Sequence, residues 1–394
     1  MSIRTAQGME KSALPVYRGP GAKAPVHALT QEIDAWKART VLAGQPAPEA
    51  PPTRREWMRY GWIAVPAALA AGGGIAAFER LRRSADALPG SWRIQGADLV
   101  VTGEGDSPLW SYRFPEVPES WLSCCAFADF TGQGRRDTLF IYRPNRQGST
   151  ACLCCFDRKG SHRWTLYPGK TVVDNLGRRF SPPYSVEQVV TFRPRGASID
   201  RIASVSVHNY SFPAQLAILD GGTGKVIAEY WHRGHLNHLA AVDLDGDGEP
   251  ELLAGGVNDA PEFKQATLLV FDHRRVGGAT PNPNGGSYYQ AIAPMAAKRT
   301  VFFPKSPLAR HEEFNRVGEI KAQSDRIVVA VAEGTTELHA ESIVYELDYN
   351  LTVVNVLLAD ASLNTLRELQ RRGEIPTEPA EAIAERLKQG VRVL

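Results

Sequence analysis

The stretch Asp243-Leu-Asp245-Gly-Asp247-Gly-Glu249-Pro-Glu251 places acidic residues at every second position. Carboxylates stand at loop positions 1, 3, 5 and 9, and the residue at position 7 offers its backbone carbonyl. Oxygen ligands at this density suit Ca²⁺, which takes about six to eight of them. The sequence therefore predicts a Ca²⁺ site with the ligands Asp243, Asp245, Asp247, Glu249 and Glu251. The alternative is an acidic β-turn without metal, because Asp-Gly pairs are ordinary turn formers.

The residues on either side of this loop predict strands rather than helices. Residues 239–242 (LAAV) and 252–257 (LLAGGV) are short apolar runs, which are typical of buried strands. An EF-hand would need flanking helices and a glutamate at position 12, where this chain has Ala254. The loop therefore joins two strands.

A strand, an Asp-rich loop and a second strand resemble the FG-GAP (VCBS-like) repeat, the blade unit of integrin-type β-propellers. Related units recur at 122–164, 189–231, 239–276 and 320–356, each with two strands around a polar loop and then an outer hairpin. Repeats of this length are typical of propellers, whose units must stack to bury their apolar faces. The fold class expected from the resemblance is mainly β, with a β-propeller-like repeat domain over 96–360.

The acidic loop is complete in only one unit. In the first unit, Asp129 and Asp137 match loop positions 1 and 9, but Thr131 and Gln133 replace the middle carboxylates. The second and fourth units each retain a single aspartate in this loop, Asp200 and Asp325 respectively. One Ca²⁺ ion is expected, as a structural cofactor that holds a blade turn rather than as a catalytic metal.

The ends of the repeat domain have different patterns. Residues 97–114 predict a hairpin that completes the ring of blades, which gives about five blades or an incomplete ring. Residues 361–394 predict two C-terminal helices packed on the propeller, because they have apolar residues at helical spacing and no alternating strand pattern.

Residues 60–78 predict one transmembrane helix. They form an uncharged run of 19 residues, and a helix of that length covers about 28 Å, close to the thickness of a bilayer's hydrocarbon core. The alternative is a buried core helix, but Pro66 and Gly72 to Gly74 are better tolerated in a membrane. A Pro/Ala linker over 44–59 precedes this span.

Residues 1–43 contain the pattern SIRTAQGMEKSALPVYR, followed by a predicted wing and a predicted helix with Trp36. This pattern resembles a truncated MerR/excisionase-like helix-turn-helix, which is a small and α-rich module. The first helix of the motif is missing, and Gly8 and Met9 depart from the family pattern. The resemblance implies base contacts from Arg4, Thr5 and Gln7 and phosphate contacts from Arg18 and Lys23. The alternative is a basic amphipathic tail.

Charge gives little information for the whole chain, whose net charge is +2. Residues 1–59, however, carry nine Lys/Arg against five Asp/Glu, which favours a cytoplasmic N-terminus and an extracytoplasmic propeller across a bacterial inner (plasma) membrane. The five cysteines are interpreted as buried strand thiols, with a disulfide between Cys124/Cys125 and the 152–155 cluster as the alternative.

Two polar groups are candidates for one ligand-binding rim. His208-Asn209-Tyr210 and Asn258-Asp259 follow equivalent strands of two units, so they are expected at the same edge of the propeller, either as a funnel for a ligand or as turn residues. His232, His235 and His238 are expected in a loop rather than in a zinc site, because Gly234 argues against a shared helix.

The sequence contains none of the usual catalytic motifs, such as GxSxG, a P-loop or HExxH, so we expect no enzyme. The expected function is a membrane-bound regulator or sensor, whose propeller binds a protein or small ligand and whose N-terminal module contacts DNA. The alternative is a surface adhesion or scaffold protein without DNA binding. A third hypothesis is an enzyme that uses the central face of the propeller, against which the absence of a catalytic motif counts.

Overall fold

A computed structural model describes residues 17–18, 26–27 and 88–394, apart from 104–105, 121–122, 261–262 and 334–341. The chain divides into two compact units, 1–76 and 77–394. The predicted linker (44–59), the predicted membrane helix (60–78) and the DNA-contacting residues Arg4, Thr5, Gln7 and Lys23 lie outside the described residues. Within the described residues, no helix is both long and apolar enough to cross a membrane.

The first unit contributes one described element. Strand β1 (Tyr17–Arg18) pairs antiparallel with β2 (Val26–His27). These strands flank residues 19–25, which include the predicted wing tip, and Arg18 lies in β1. The helices predicted for this module lie outside the described residues.

The second unit is mainly β, as the sequence predicts, and contains five larger antiparallel sheets, here called blades 1 to 5. Blade 1 has β3 (Ser91–Gln95), β4 (Asp98–Thr102) and β5 (Pro108–Arg113). Blade 2 has β6 (Cys125–Ala128), β7 (Asp137–Tyr142), β8 (Cys152–Phe156) and β9 (His162–Leu166). A short hairpin, β10 (Val172–Val173) and β11 (Arg179–Phe180), precedes blade 3.

The remaining blades follow the same order of strands. Blade 3 has β12 (Tyr184–Phe192), β13 (Arg201–His208), β14 (Pro213–Leu219) and β15 (Val226–Arg233). Blade 4 has β16 (Leu236–Val242), β17 (Glu251–Asn258), β18 (Gln265–Asp272) and β19 (Arg299–Phe302). Blade 5 has β20 (Arg316–Ala322), β21 (Ile327–Ala332), β22 (Ser342–Leu347) and β23 (Val353–Leu358).

The middle strands of the blades are apolar because both of their faces are covered. All residues of β8, β14 and β17 are buried, whereas the outer strand β9 has one buried residue. A sheet with one wet face would instead alternate apolar and polar side chains. Successive meander sheets that pack face to face form a β-propeller architecture.

Hydrophobic clusters join each blade to the next. Phe140 of blade 2 packs with blade 1, Ala217 of blade 3 with blade 2, Leu252 of blade 4 with blade 3, and Val329 of blade 5 with blade 4. Among the described residues, none of these clusters joins blade 1 to blade 5.

Two C-terminal helices, α1 (Asp360–Arg371) and α2 (Ala380–Gly390), pack on blade 5. Leu366, Ile383 and Leu387 enter the same cluster as the strands of blades 4 and 5. A last strand, β24 (Arg392–Val393), then pairs with β19 and extends blade 4 to five strands. Residues 392–393 therefore add an edge strand to blade 4, and completion of the ring by the 97–114 hairpin stays a prediction.

The outer strand of blade 4 differs from the sequence expectation. The repeat predicted over 239–276 ends before β19, which begins only at Arg299 after an irregular segment, here called the 273–298 excursion. The sequence analysis also missed β3, which adds a third strand to the predicted hairpin of blade 1. The five residues of β3 (SWRIQ) do alternate polar and apolar side chains, so this strand has a signal in the sequence, whereas the four residues of β19 (RTVF) do not alternate.

The cysteines are free thiols, so the disulfide alternative is wrong for this structure. The interpretation as buried strand thiols is confirmed for the 152–155 cluster, whereas Cys124 and Cys125 are partly buried and Cys124 precedes β6. Cys152, Cys154 and Cys155 are buried in β8. Burial raises the pKa of Cys155 and Cys125 well above the usual range for a thiol, which keeps both protonated and unreactive near neutral pH.

Replacement of Ile383 by Ala tests whether α2 belongs to the core of blade 5. Ile383 is 1% exposed, so its truncation should lower the free energy of unfolding by about 2–5 kcal/mol through lost burial and a residual cavity. Chemical denaturation of the full chain measures this change. Glu385→Gln on the exposed face of α2 is the control, and equal stability of both variants would contradict the packing of α2.

Candidate metal site and insertion rim

The acidic loop joins β16 to β17 of blade 4, as predicted. Oxygens of Asp243, Asp245 and Asp247 lie within 4.8 Å of one another. The Asp243 carboxylate accepts hydrogen bonds from the backbone N–H groups of Gly246 (2.8 Å) and Gly248 (2.9 Å), so it closes the turn itself. Both glycines have positive φ angles of 73° and 84°, which favour a residue without Cβ.

The two glutamates of the predicted ligand set have protein partners. Glu251 opens β17, and its buried carboxylate accepts hydrogen bonds from the Leu244 N–H (3.1 Å) and from Lys298 Nζ (2.7 Å). The Glu249 side chain turns toward blade 3 and accepts a hydrogen bond from the Arg195 N–H at 3.1 Å. The structure therefore brings together three of the five predicted residues and links a fourth, Glu251, to them through a lysine.

That lysine, Lys298, is the main feature that sequence reasoning missed. Its ammonium group bridges Glu251 Oε1 (2.7 Å) and Asp245 Oδ2 (3.2 Å). The hydrogen bond to Glu251 and then that to Asp245 raise the pKa of Lys298, and the hydrogen bond from Lys298 lowers the pKa of Asp245. Lys298 lies at the end of the 273–298 excursion, 47 residues after Glu251, so no local motif connects the two.

Blade 2 has the same arrangement with fewer acids. Asp137 opens β7 as Glu251 opens β17, and Arg163 of β9 pairs with Asp137 at 2.6 Å. The strand registers place Arg163 and Lys298 at equivalent positions, Arg163 within β9 and Lys298 directly before β19. In both blades a cationic side chain at the start of the fourth strand therefore neutralises the carboxylate that opens the second strand.

The donor set of blade 4 fits a hard divalent cation better than a lysine alone. Three carboxylates face one another within 4.8 Å, and like charges at this spacing repel unless a cation lies between them. Blade 2 has no such excess of negative charge, because Thr131 and Gln133 replace two of the acidic residues in its loop. Asp243, Asp245 and Asp247 would hold the ion, and Glu251 would join them if Lys298 moved away.

Loops of neighbouring blades meet at this edge of the propeller, which we call the loop rim (residues 129–137, 193–200 and 243–251). The Asp129 N–H donates to Asp200 Oδ2 at 2.8 Å, and Arg195 Nη1 donates to the Asp247 carbonyl at 2.9 Å. Asp200, a single aspartate of its unit, thus links blades 2 and 3, whereas Asp325 pairs with the adjacent Arg326.

The opposite edge, here called the insertion rim, consists of residues 167–183, 209–212, 233–236, 259–260, 263–264 and 278–292. Its core is a separate cluster that includes Phe180, Trp231 and Tyr289, packed against the partly buried Phe212. The 273–298 excursion reaches this cluster, since Trp231 forms a β-bridge with Ala279. The segments that leave the blades are therefore held to one another by their own aromatic core.

The residues predicted to lie at one rim of the propeller are located at the ends of β13 and β17, at the insertion rim. Several of them act as turn formers. Asn258 accepts a hydrogen bond from the Ala260 N–H (2.8 Å), and Asn209 accepts one from Ser185 Oγ (2.7 Å). Tyr210 is 59% exposed. Burial raises the pKa of Asp259 although Arg233 and Lys264 lie near it.

Two of the three spaced histidines are hydrogen-bonded to backbone oxygens. His232 contacts the Val257 carbonyl (3.1 Å), and burial lowers its pKa to about 4, so the ring is neutral near pH 7. His235 contacts the Ser211 carbonyl at 2.7 Å. His232 lies in β15 and His238 in β16, so the expectation of a loop is wrong for these two and holds for His235 alone.

Comparison of the sequence with known protein families gives no match, and comparison with curated proteins gives none. Solved structures with similar folds include the Dos1 propeller (13% identity, TM-score 0.38, covering 66% of this chain and 53% of that one). BBS1N in complex with ARL6DN is another (9% identity, TM-score 0.32, 67% and 75% covered). The chain thus spans about half the length of the Dos1 propeller structure.

Calcium should raise the melting temperature of the full chain, because an ion that binds only the folded loop stabilises it by about 2.7 kcal/mol at a hundredfold excess over its Kd. Asp245→Asn should remove most of this rise. Asp325→Asn, at the exposed loop of blade 5, is the matched control. A melting curve that is the same in Ca²⁺ and in chelator would contradict the metal site.

Lys298→Met should tighten Ca²⁺ binding by about tenfold or more, because the ion no longer competes with an ammonium group for Asp245 and Glu251. Isothermal titration with Ca²⁺ measures the change. Lys321→Met, which removes a surface lysine of blade 5, should leave the affinity unchanged. Weaker Ca²⁺ binding in Lys298→Met would mean that Lys298 supports the ion rather than competes with it.

Proposed function

We propose that this protein is a membrane-anchored regulator or sensor of a bacterial inner membrane. In this proposal, residues 60–78 span the bilayer once, and the FG-GAP-type propeller lies on the extracytoplasmic side. A ligand or partner protein binds the propeller, and the N-terminal helix-turn-helix-like module contacts DNA in the cytoplasm. The proposed role is binding rather than catalysis.

The insertion rim is the observation that carries this proposal. Rigid sheets commonly present binding loops at one edge, and here segments from three parts of the chain are fixed at one edge by an aromatic cluster. The rim combines exposed Tyr210 with the cations Arg178 and Arg233, which pack against aromatic rings. Such surfaces suit recognition of a ligand or a partner.

Ca²⁺ is proposed as a structural cofactor of the loop rim. Asp247 lies in the acidic loop of blade 4 and its carbonyl accepts a hydrogen bond from Arg195 of blade 3. An ion that orders this loop would therefore also fix the contact between the two blades. The bound metal supplies no step of a reaction in this proposal.

A surface adhesion or scaffold role is the second candidate. The packing of each blade on the next favours it, because such a series supplies a rigid platform whether or not residues 1–43 bind DNA. The two candidates differ in the N-terminal module alone.

Reconstitution of the full chain into lipid vesicles separates these candidates. The regulator should remain with the lipid after an alkaline wash and should bind duplex DNA with an affinity that falls steeply as salt rises. Arg4→Ala should weaken DNA binding, whereas Arg39→Ala, outside the proposed contact residues, should not.

Two other results have distinct meanings. Membrane insertion without DNA binding would favour the scaffold. Release of the chain from the lipid by the alkaline wash would contradict the membrane anchor in both candidates.

A further inference from the structure

We propose that Arg233 at the insertion rim binds the carboxylate group of a ligand. This inference rests on the binding role proposed above and assigns that role a site and a ligand chemistry. It depends on three observations: the ion pairs of the neighbouring cations, the surroundings of the guanidinium group, and the hydrogen bonds that fix it in place.

Three other cations of this rim have an acidic partner. Arg178 Nε pairs with Asp174 at 2.7 Å, Lys264 pairs with Glu313, and Lys170 pairs with Glu229. Arg179 is exposed to water, whereas Arg233 is partly buried. Within the part of the chain that the structure describes, no carboxylate lies within ion-pair distance of Arg233, and the attraction between Arg233 and Asp259 acts at longer range. An external anion can therefore neutralise the charge of Arg233.

Aromatic rings surround the Arg233 side chain. The guanidinium carbon lies 4.4 Å from the centre of the Tyr288 ring and 5.5 Å from that of Phe212. These contacts stabilise the positive charge, but they do not accept the N–H hydrogen bonds in the guanidinium plane. Arg233 Nε is buried and has no hydrogen-bond partner among the described residues. Since the buried Nε is closed to a ligand, a carboxylate would bind the two terminal Nη groups.

Hydrogen bonds fix the backbone at Arg233 and at Phe212 and Tyr288, the two residues that carry the rings. The Arg233 N–H donates to Thr280 Oγ1 (3.1 Å), and the Tyr288 N–H donates to the Thr280 carbonyl (3.1 Å). The Gly234 N–H donates to the Phe212 carbonyl at 3.1 Å. Position 234 requires glycine, since a Cβ there would lie 2.0 Å from the Val257 carbonyl oxygen. The site is therefore formed before a ligand arrives, which lowers the entropic cost of binding.

The surrounding charges favour a carboxylate over a phosphate. Asp259 is the nearest acidic residue along this edge, and its N–H donates to the Arg233 carbonyl at 3.0 Å. Asp174 lies on the other side, paired with Arg178, whose guanidinium carbon is 5.1 Å from the centre of the same Phe212 ring. A doubly charged phosphate would be repelled by both aspartates more than a singly charged carboxylate. A planar carboxylate also matches the two-pronged edge of a guanidinium group.

Titration of the full chain in detergent with benzoate, and separately with inorganic phosphate, tests the proposal. Benzoate should bind, and Arg233→Lys should weaken its binding by about tenfold or more because lysine lacks the planar pair of donors. Arg392→Lys, at another guanidinium group that lies over two aromatic rings, is the matched control and should change the affinity by less than about twofold. Calorimetry measures the affinities, and an unchanged melting temperature shows that each variant is folded.

Several outcomes would overturn the proposal: no binding of benzoate, tighter binding of phosphate than of benzoate, or equal losses in Arg233→Lys and Arg392→Lys. Glu262 lies outside the described residues, three positions after Asp259. Binding of benzoate by Glu262→Gln but not by the natural chain would mean that the protein's own carboxylate fills the site. Membrane insertion and DNA binding, measured on the same preparation, are independent of these results, so failure of the carboxylate site is distinguishable from failure of the proposed function.

Discussion

Strands β8, β14 and β17 of blades 2, 3 and 4 are buried on both faces, so water must be excluded from both. β14 and β17 contain no residue that is more than marginally exposed, which requires a neighbouring sheet on each side. Blades 2, 3 and 4 obtain this cover from one another and from blades 1 and 5. Among the described residues no further sheet follows blade 5, and α1 and α2 supply apolar residues that enter its core.

Charge neutralisation is the second constraint, and it acts at the loop rim. A carboxylate that opens the second strand of a blade is partly removed from water, so a nearby cation is needed. Arg163 and Lys298 meet this need in blades 2 and 4 from equivalent positions. In blade 4 the 273–298 excursion carries Lys298 at its end and Tyr288 near its middle. The same segment therefore contributes to the acidic loop at one rim and to the Arg233 site at the other.

The sequence predicts those features that depend on local pattern. The acidic loop, its flanking strands and the two C-terminal helices follow from residue spacing, and each lies in the structure where the pattern indicates. Lys298 and β19 were not predicted, because an irregular segment of more than twenty residues separates them from the strands they join. The repeat itself held a signal for Lys298, since Arg163 precedes Trp164 at the corresponding position of blade 2.

The Arg233 site has no sequence signal of this kind. Its parts come from the end of β15, the turn before β14 and the 273–298 excursion, and nothing in their spacing along the chain connects them. Only the stacking of blades 3 and 4 brings Phe212 and Tyr288 to the same guanidinium group. The chemistry of the insertion rim is thus a consequence of tertiary packing, whereas the acidic loop is already visible in the primary structure.

Hydrogen–deuterium exchange of the full chain, resolved by peptide, tests the mutual burial of the blades most directly. The amides of β14 and β18 should exchange only through global unfolding, because both strands are paired on both edges and covered on both faces. Exchange of 213–219 or 265–272 as fast as that of the 193–200 loop would contradict the stacked blades, and with them the placement of both rims.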